Sequence, residues 1–184
     1  MPTIYDAVLG DLAGVFARID DANVDAAIAE LARAKRIAFY GCGREGLQMR
    51  GLCMRLYHMG LQVAMVGDMT TFPAGPGDLL FASAGPGTLS TASALLGVAK
   101  ADGARTMLIT AQPQGATSRL ADRLLILPAQ TMADDQGPAV ASVLPMGSVF
   151  EGAMFVLFEV MILRLRDRLG ATPEAMRARH TNLE

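Results

Sequence analysis

Two apolar rhythms divide this chain. A helix is expected over 3–18, where Ile4, Val8, Leu12, Val15, Phe16 and then Ile19 recur at the spacing of one helix face. A second is expected over 23–34, with Asn23 as its cap. The period then changes. Short, nearly continuous apolar runs follow at RIAFYG (36–41), QVAMVG (62–67), DLLFASA (78–84), RTMLITA (105–111) and RLLILPA (123–129). Such runs suit strands buried on both faces of a parallel sheet. Helix-compatible segments separate them at 45–59, 90–102 and 116–122. After the loop 130–146, a long helix is expected over 148–169, entered through Gly147 and stopped by Gly170, with Pro173 starting a last short helix.

Strands alternating with helices predict an α/β fold: a three-layer, doubly wound, flavodoxin-like sandwich around a five-stranded parallel sheet. No repeat or linker interrupts it, so residues 1–184 read as one domain. Its N-terminal helices cover 1–35, the α/β core 36–129, and a loop with C-terminal helices 130–184.

Composition narrows the partners. The chain is 52% hydrophobic and 18% charged, apolar enough to predict surface buried between subunits. A net charge of −2, 5% aromatics and no Trp argue against nucleic acid and against an anionic membrane. The most apolar run, GAMFVLFEVMIL, is too short to span a bilayer and contains Glu159. The N-terminal stretch lacks a basic region and carries Asp6 and Asp11, unlike a signal peptide, so a cytoplasmic protein is expected. Its two cysteines, Cys42 and Cys53, read as reduced, partly buried thiols. With only His58 and His180 as imidazoles, no metal-ligand spacing exists.

Ligands of such sheets sit beyond the carboxyl ends of the strands. Two Gly-rich turns fall there: GCGREG (41–46) and SAGPGT (83–88). Gly41, Gly43 and Gly46 show dinucleotide spacing, but no acidic residue closes the second strand; Asp68 lies just past it. No Lys follows the second turn, which excludes a Walker loop. Asp134 and Asp135 read as solvated loop residues.

With the segments GCGREGLQMRGLCMRLYHMG, VGDMTTFPAGPGDLL, LPMGSVFE and the terminal RHTNLE in this order, the chain resembles a sugar isomerase (SIS) domain. Within that superfamily it is most similar to the 6-phospho-3-hexuloisomerase family. The resemblance implies a homotetramer that binds a small sugar or sugar phosphate. It implies an isomerase that moves a carbonyl along the chain through an enediolate, with no metal or organic cofactor. A base removes the proton α to the carbonyl and returns it next door. Glu151 matches the family's acidic residue after GS-x-F and is assigned as the base. Its ordinary alternative is a first-turn carboxylate favouring the helix dipole. His180 matches the His of the terminal motif and is assigned ring opening or carbonyl polarisation, often at the neighbouring subunit's site. Its ordinary alternative is a frayed terminus. His58 also matches a family position but reads as a helix-end residue near the dipole. Asp68, where the family usually has Glu, either faces substrate or caps the following turn.

Gly43, Arg44, Glu45, Asp68, Ser83, Gly85, Gly87, Thr88 and Ser90 are the candidate substrate contacts. Both turns depart from the family's G-x-G-R-S and S-G-S-G-E-T. Glu45 replaces a Ser; Ala84 and Pro86 replace two more; Thr88 and Leu89 replace the acidic residue and the Thr. Pro86 has no N–H and Ala84 no hydroxyl. A charge on Glu45 opposes a phosphate by about 1–4 kcal/mol at ~4 Å unless Arg44 or Arg50 compensates. Glu45 is therefore expected to occupy or border the helix N-terminus that a phosphate would use. Three alternatives remain open: an isomerase of a non-phosphorylated or otherwise substituted sugar, a non-catalytic sugar-binding module, and a lyase. The first 35 residues carry no basic recognition helix, which argues against a transcriptional regulator.

Overall fold

Strand β1 (Ile37–Tyr40) lies inside a five-stranded sheet with β2 (Val63–Met65), β3 (Leu79–Ser83), β4 (Arg105–Thr110) and β5 (Arg123–Ile126). The order is β2-β1-β3-β4-β5 and every pairing is parallel. These assignments come from a computed structural model that describes residues 2–183. The terminal motif's last residue, Glu184, lies outside the described residues.

Alternation along each strand builds two unequal cores. Phe39, Phe81, Met107, Ile109 and Leu125 face one side of the sheet. They pack there under α1 (Ile4–Phe16), α2 (Asp21–Arg33), α3 (Gly43–His58) and α5 (Ser148–Leu169). Phe81 anchors this layer, 5.8 Å from Phe39 and 6.3 Å from Phe158 between ring centroids. Ala38, Leu80, Ala82 and Leu108 face the other side, under Ala92, Leu96 and Ala99 of α4 (Ser90–Ala101). The helix α6 (Pro173–Ala178) closes the fold against α3. No described helix is long and apolar enough to cross a membrane.

The expected strands and long helices are present, with local corrections. Asn23 does not cap α2. Asp20 does, accepting from the Ala22 N–H at 3.0 Å. The Asn23 amide instead bridges Leu124 O and Ile126 N, tying α2 to β5. The expected helix 116–122 shrinks to a 3-10 turn, Ser118–Leu120. Gly147 and Gly170 do bound α5, both in left-handed backbone conformation. Cys53 is buried, and burial pushes its thiol up to about 11; Cys42 is exposed rather than partly buried.

In this strand order the connections from β1 and β3 leave to opposite faces. Their turns, GCGREG and SAGPGT, flank the crevice where the winding reverses, the preferred ligand position of an open α/β sheet.

Candidate active site

Glu45 stands in the first turn of α3, whose N-cap Cys42 offers no side-chain bond. Its side chain crosses the crevice to the β3–α4 turn. There its carboxylate accepts a hydrogen bond from the Ser83 hydroxyl, and the Gly85 N–H lies 3.1 Å from both its oxygens. Ser83 is fully buried at the end of β3. Glu45 thus uses the donors that the turn aims into the crevice, since Pro86 has no N–H to add. A Cβ on Gly85 would lie 2.8 Å from Glu45 Oε1 and 2.9 Å from Phe150, so glycine is required for this approach. Burial holds the Glu45 carboxyl above the ordinary carboxylate range, against the lowering effect of the Ser83 and Gly85 bonds.

Glu151 lies opposite, in the first turn of α5. Its Oε2 is buried with no hydrogen-bond partner, while Oε1 lies 3.3 Å from Arg44 Nη2. Burial raises this carboxyl too; Arg44 and its own backbone N–H pull it down, and the Glu45 charge pushes it up. A carboxylate with one free buried oxygen and an elevated affinity for protons suits α-proton abstraction. Glu45 and Glu151 line one small cleft with Pro86, Thr131, Met146 and Phe150.

Arg44 joins the two helix heads. Besides Glu151 it donates to Ser148 Oγ at 2.6 Å and to the Met146 carbonyl. Arg50 lies 3.9 Å from Asp68. Neither guanidinium therefore compensates Glu45, contrary to the alternative entertained from sequence. Asp68 itself sits beyond the outer strand β2 and is absent from the cleft lining; its carbonyl, not its carboxylate, receives Thr71.

The remaining turn residues form the floor and the α4 edge. Gly87 donates to Ala84 O and accepts from Thr117 N–H, in a positive-φ conformation. Thr88 Oγ1 accepts from Ala116 N–H at 3.3 Å. Ser90 is exposed as the first residue of α4, and Gly43 is exposed as the first of α3. The first bond of α4, from Ser93 N–H to Leu89 O, leaves the amides of residues 90–92 as the open end of the helix.

His180 lies elsewhere in the chain. Its ring stacks on that of His58, at the C-terminal end of α3. Arg44 and Glu45 stand at the N-terminal end of the same helix, about 20 Å away at 1.5 Å per residue. Within one chain the structure brings Glu151, Arg44, Glu45, Ser83 and Gly85 together, and it places His180 and Asp68 apart from them. The Arg44 clamp on Met146 and Ser148 was not anticipated. Its partners are a backbone carbonyl and a hydroxyl about a hundred residues away, which no local pattern marks. Among the described residues no group of His, Cys, Asp or Glu is arranged to hold a metal.

Comparison with known proteins agrees with this architecture. Residues 30–154 match the SIS domain family model. The 3-hexulose-6-phosphate isomerase of Mycobacterium gastri is 34% identical over 177 residues, 96% of this chain and 88% of that protein. The protein of the same name from Methylomonas aminofaciens is 34% identical over 184 residues, the whole of both chains. Among solved structures, a hypothetical protein of Methanococcus jannaschii, inferred to be a 3-hexulose-6-phosphate isomerase, superposes with a TM-score of 0.83. It is 26% identical, covering 98% of each chain.

Proposed function

We propose that this chain, which belongs to the SIS domain family, is a phosphohexulose isomerase with Glu151 as its carbon base. The observation that carries the reading is the buried, unpartnered Oε2 of Glu151, a residue that lines the cleft at the carboxyl end of the sheet. Abstraction of the proton α to a carbonyl needs such an oxygen; protonation of the neighbouring carbon returns the proton and completes the isomerisation. Thr88, Ser90 and the open amides of residues 90–92 supply hydroxyls and a helix N-terminus for the phosphate. His180 reaches this cleft from a second subunit, where it opens the ring or polarises the carbonyl. A homotetramer in the cytoplasm fits this arrangement. Exposed Leu47, Met54 and Phe155 leave an apolar face on α3 and α5 for subunit packing.

A second reading has its own support. Glu45 holds the Ser83 and Gly85 donors that an anion would use. That favours a sugar without phosphate, or one with a different substituent, at this turn. NMR of a panel of phosphorylated and free ketoses decides between the two: the phosphorylated hexulose is expected to turn over with the higher kcat/KM. E151Q should abolish turnover, with deuterium exchange at the substrate's α-carbon lost and sugar binding retained. Full activity in E151Q would remove the assignment, and binding without turnover by the wild-type chain would make it a sugar-binding module.

A further inference from the structure

Shifting a carbonyl to the next carbon moves two protons, one on carbon and one on oxygen. Glu151 carries only one of them at a time. We propose that Glu45 is the second proton carrier of this site, passing the hydroxyl proton between the two enediol oxygens while Glu151 carries the carbon proton. The inference rests on the isomerase reading above.

Glu45 and Glu151 come from the heads of different helices and line the same cleft, which measures about 40 Å³. That is space for one small group, so both carboxyls meet the same part of a substrate. Among the described residues of that lining they are the titratable side chains. Arg44, beside them, is committed to Glu151. Ser83 and Gly85 fix Glu45 from the sheet side, which leaves its orientation set before substrate arrives. Tyr40 and Cys42, on the adjacent turn, bond to each other at 2.8 Å. Asp68 and Arg50 pair on the outer edge. Burial raises both carboxyls, and the charge of Glu45 raises Glu151 further, so the two titrate as a coupled pair.

The steps balance with one proton on the pair. The reactive form has Glu151 ionised and Glu45 protonated. Glu151 takes the α C–H proton as the C–H pair becomes the C=C bond of the enediol, and the former carbonyl oxygen takes the proton of Glu45. Collapse runs the other way across the bond. Glu45 takes the proton of the second hydroxyl, that C–O becomes the new carbonyl, and the C=C pair takes the proton of Glu151 at the original carbonyl carbon. Both carboxyls return to their starting states, and no oxidant or cofactor enters.

The test uses the full chain and 3-hexulose 6-phosphate. The wild type should show a bell-shaped kcat/KM, rising as the pair loses its first proton and falling as it loses the second. E45Q keeps one acceptor oxygen for Ser83 and Gly85 yet should lose about 100-fold or more in kcat. Its KM should stay within about threefold, since the lost interaction belongs to the transition state. Its descending limb should vanish. S83A tests the same group if E45Q fails to fold. Removing that hydrogen bond raises the Glu45 carboxyl, so the descending limb should move to higher pH. Wild-type kcat in a folded E45Q, or an unmoved limb in S83A, overturns the proposal while the isomerase reading stands. A wild-type chain that turns over no ketose overturns that reading, and the proposal with it.

Discussion

The His180 ring lies on the His58 ring, centroids 5.2 Å apart and planes 29° from parallel, at the end of α3 opposite Glu45. A common site for His180 and Glu151 therefore requires two chains. Mixing subunits tests this directly. E151Q and H180A should each be nearly inactive alone, yet recover roughly a quarter of wild-type activity after co-refolding, because a quarter of random pairings join two intact residues. Absence of recovery in verified mixed oligomers would remove His180 from the site.

Arg44 holds Glu151 down electrostatically while burial pushes it up. R44M should let the Glu151 carboxyl rise. The base must be ionised to act, so the ascending limb of kcat/KM should shift to higher pH. Activity at neutral pH should fall and recover partly in alkali. A limb that stays in place would show that another group limits the acid side.

Gly115 supports the floor of the site from a separate loop. A Cβ there would meet the Gly87 carbonyl oxygen at 2.1 Å, a backbone atom that cannot swing away. Thr117 N–H donates to that same oxygen at 3.0 Å. G115A is expected to destabilise the fold by about 1–3 kcal/mol, read as a fall in Tm. An unchanged Tm would mean that the two loops can separate freely.

Asp78 is expected to make stability fall in acid. Its carboxylate is 1% exposed and accepts from Arg36 Nε at 3.0 Å, Arg36 Nη2 at 2.6 Å and Gly75 N–H at 3.0 Å. The Arg36 bonds lead in holding this carboxyl below the ordinary range. Its contribution to stability is therefore complete above the unfolded value of about 3.9 and is lost as pH falls through the lower folded value. D78N should lower Tm at neutral pH and flatten the acid decline of Tm below about pH 4. Parallel wild-type and D78N curves across that range would reassign the sensitivity to other carboxylates.

The elements were legible because their signals are local. Continuous apolar runs marked the strands; Gly147, Gly170 and Pro173 marked helix ends that follow from φ preferences alone. Asn23 misled for the opposite reason. A residue that suits a cap found better partners on Leu124 and Ile126, roughly a hundred positions away. At the site, Glu45 stood out as a departure in its turn, and Ser83 as a hydroxyl in the other. Nothing in either turn announced that one side chain would bond the other.

The sequence by itself determined a parallel α/β sheet, the two Gly-rich turns at its carboxyl edge and the residue types available to them, because periodicity and backbone preference act over a few residues. Only the tertiary structure decided which of those residues meet. The crossing of β1 and β3 connections to opposite faces brings Glu45 onto the Gly85 amide and Arg44 onto Glu151, and the length of α3 holds His180 away from both. Those pairings depend on distances across the fold, set by helix length and sheet order, which a one-dimensional pattern does not carry.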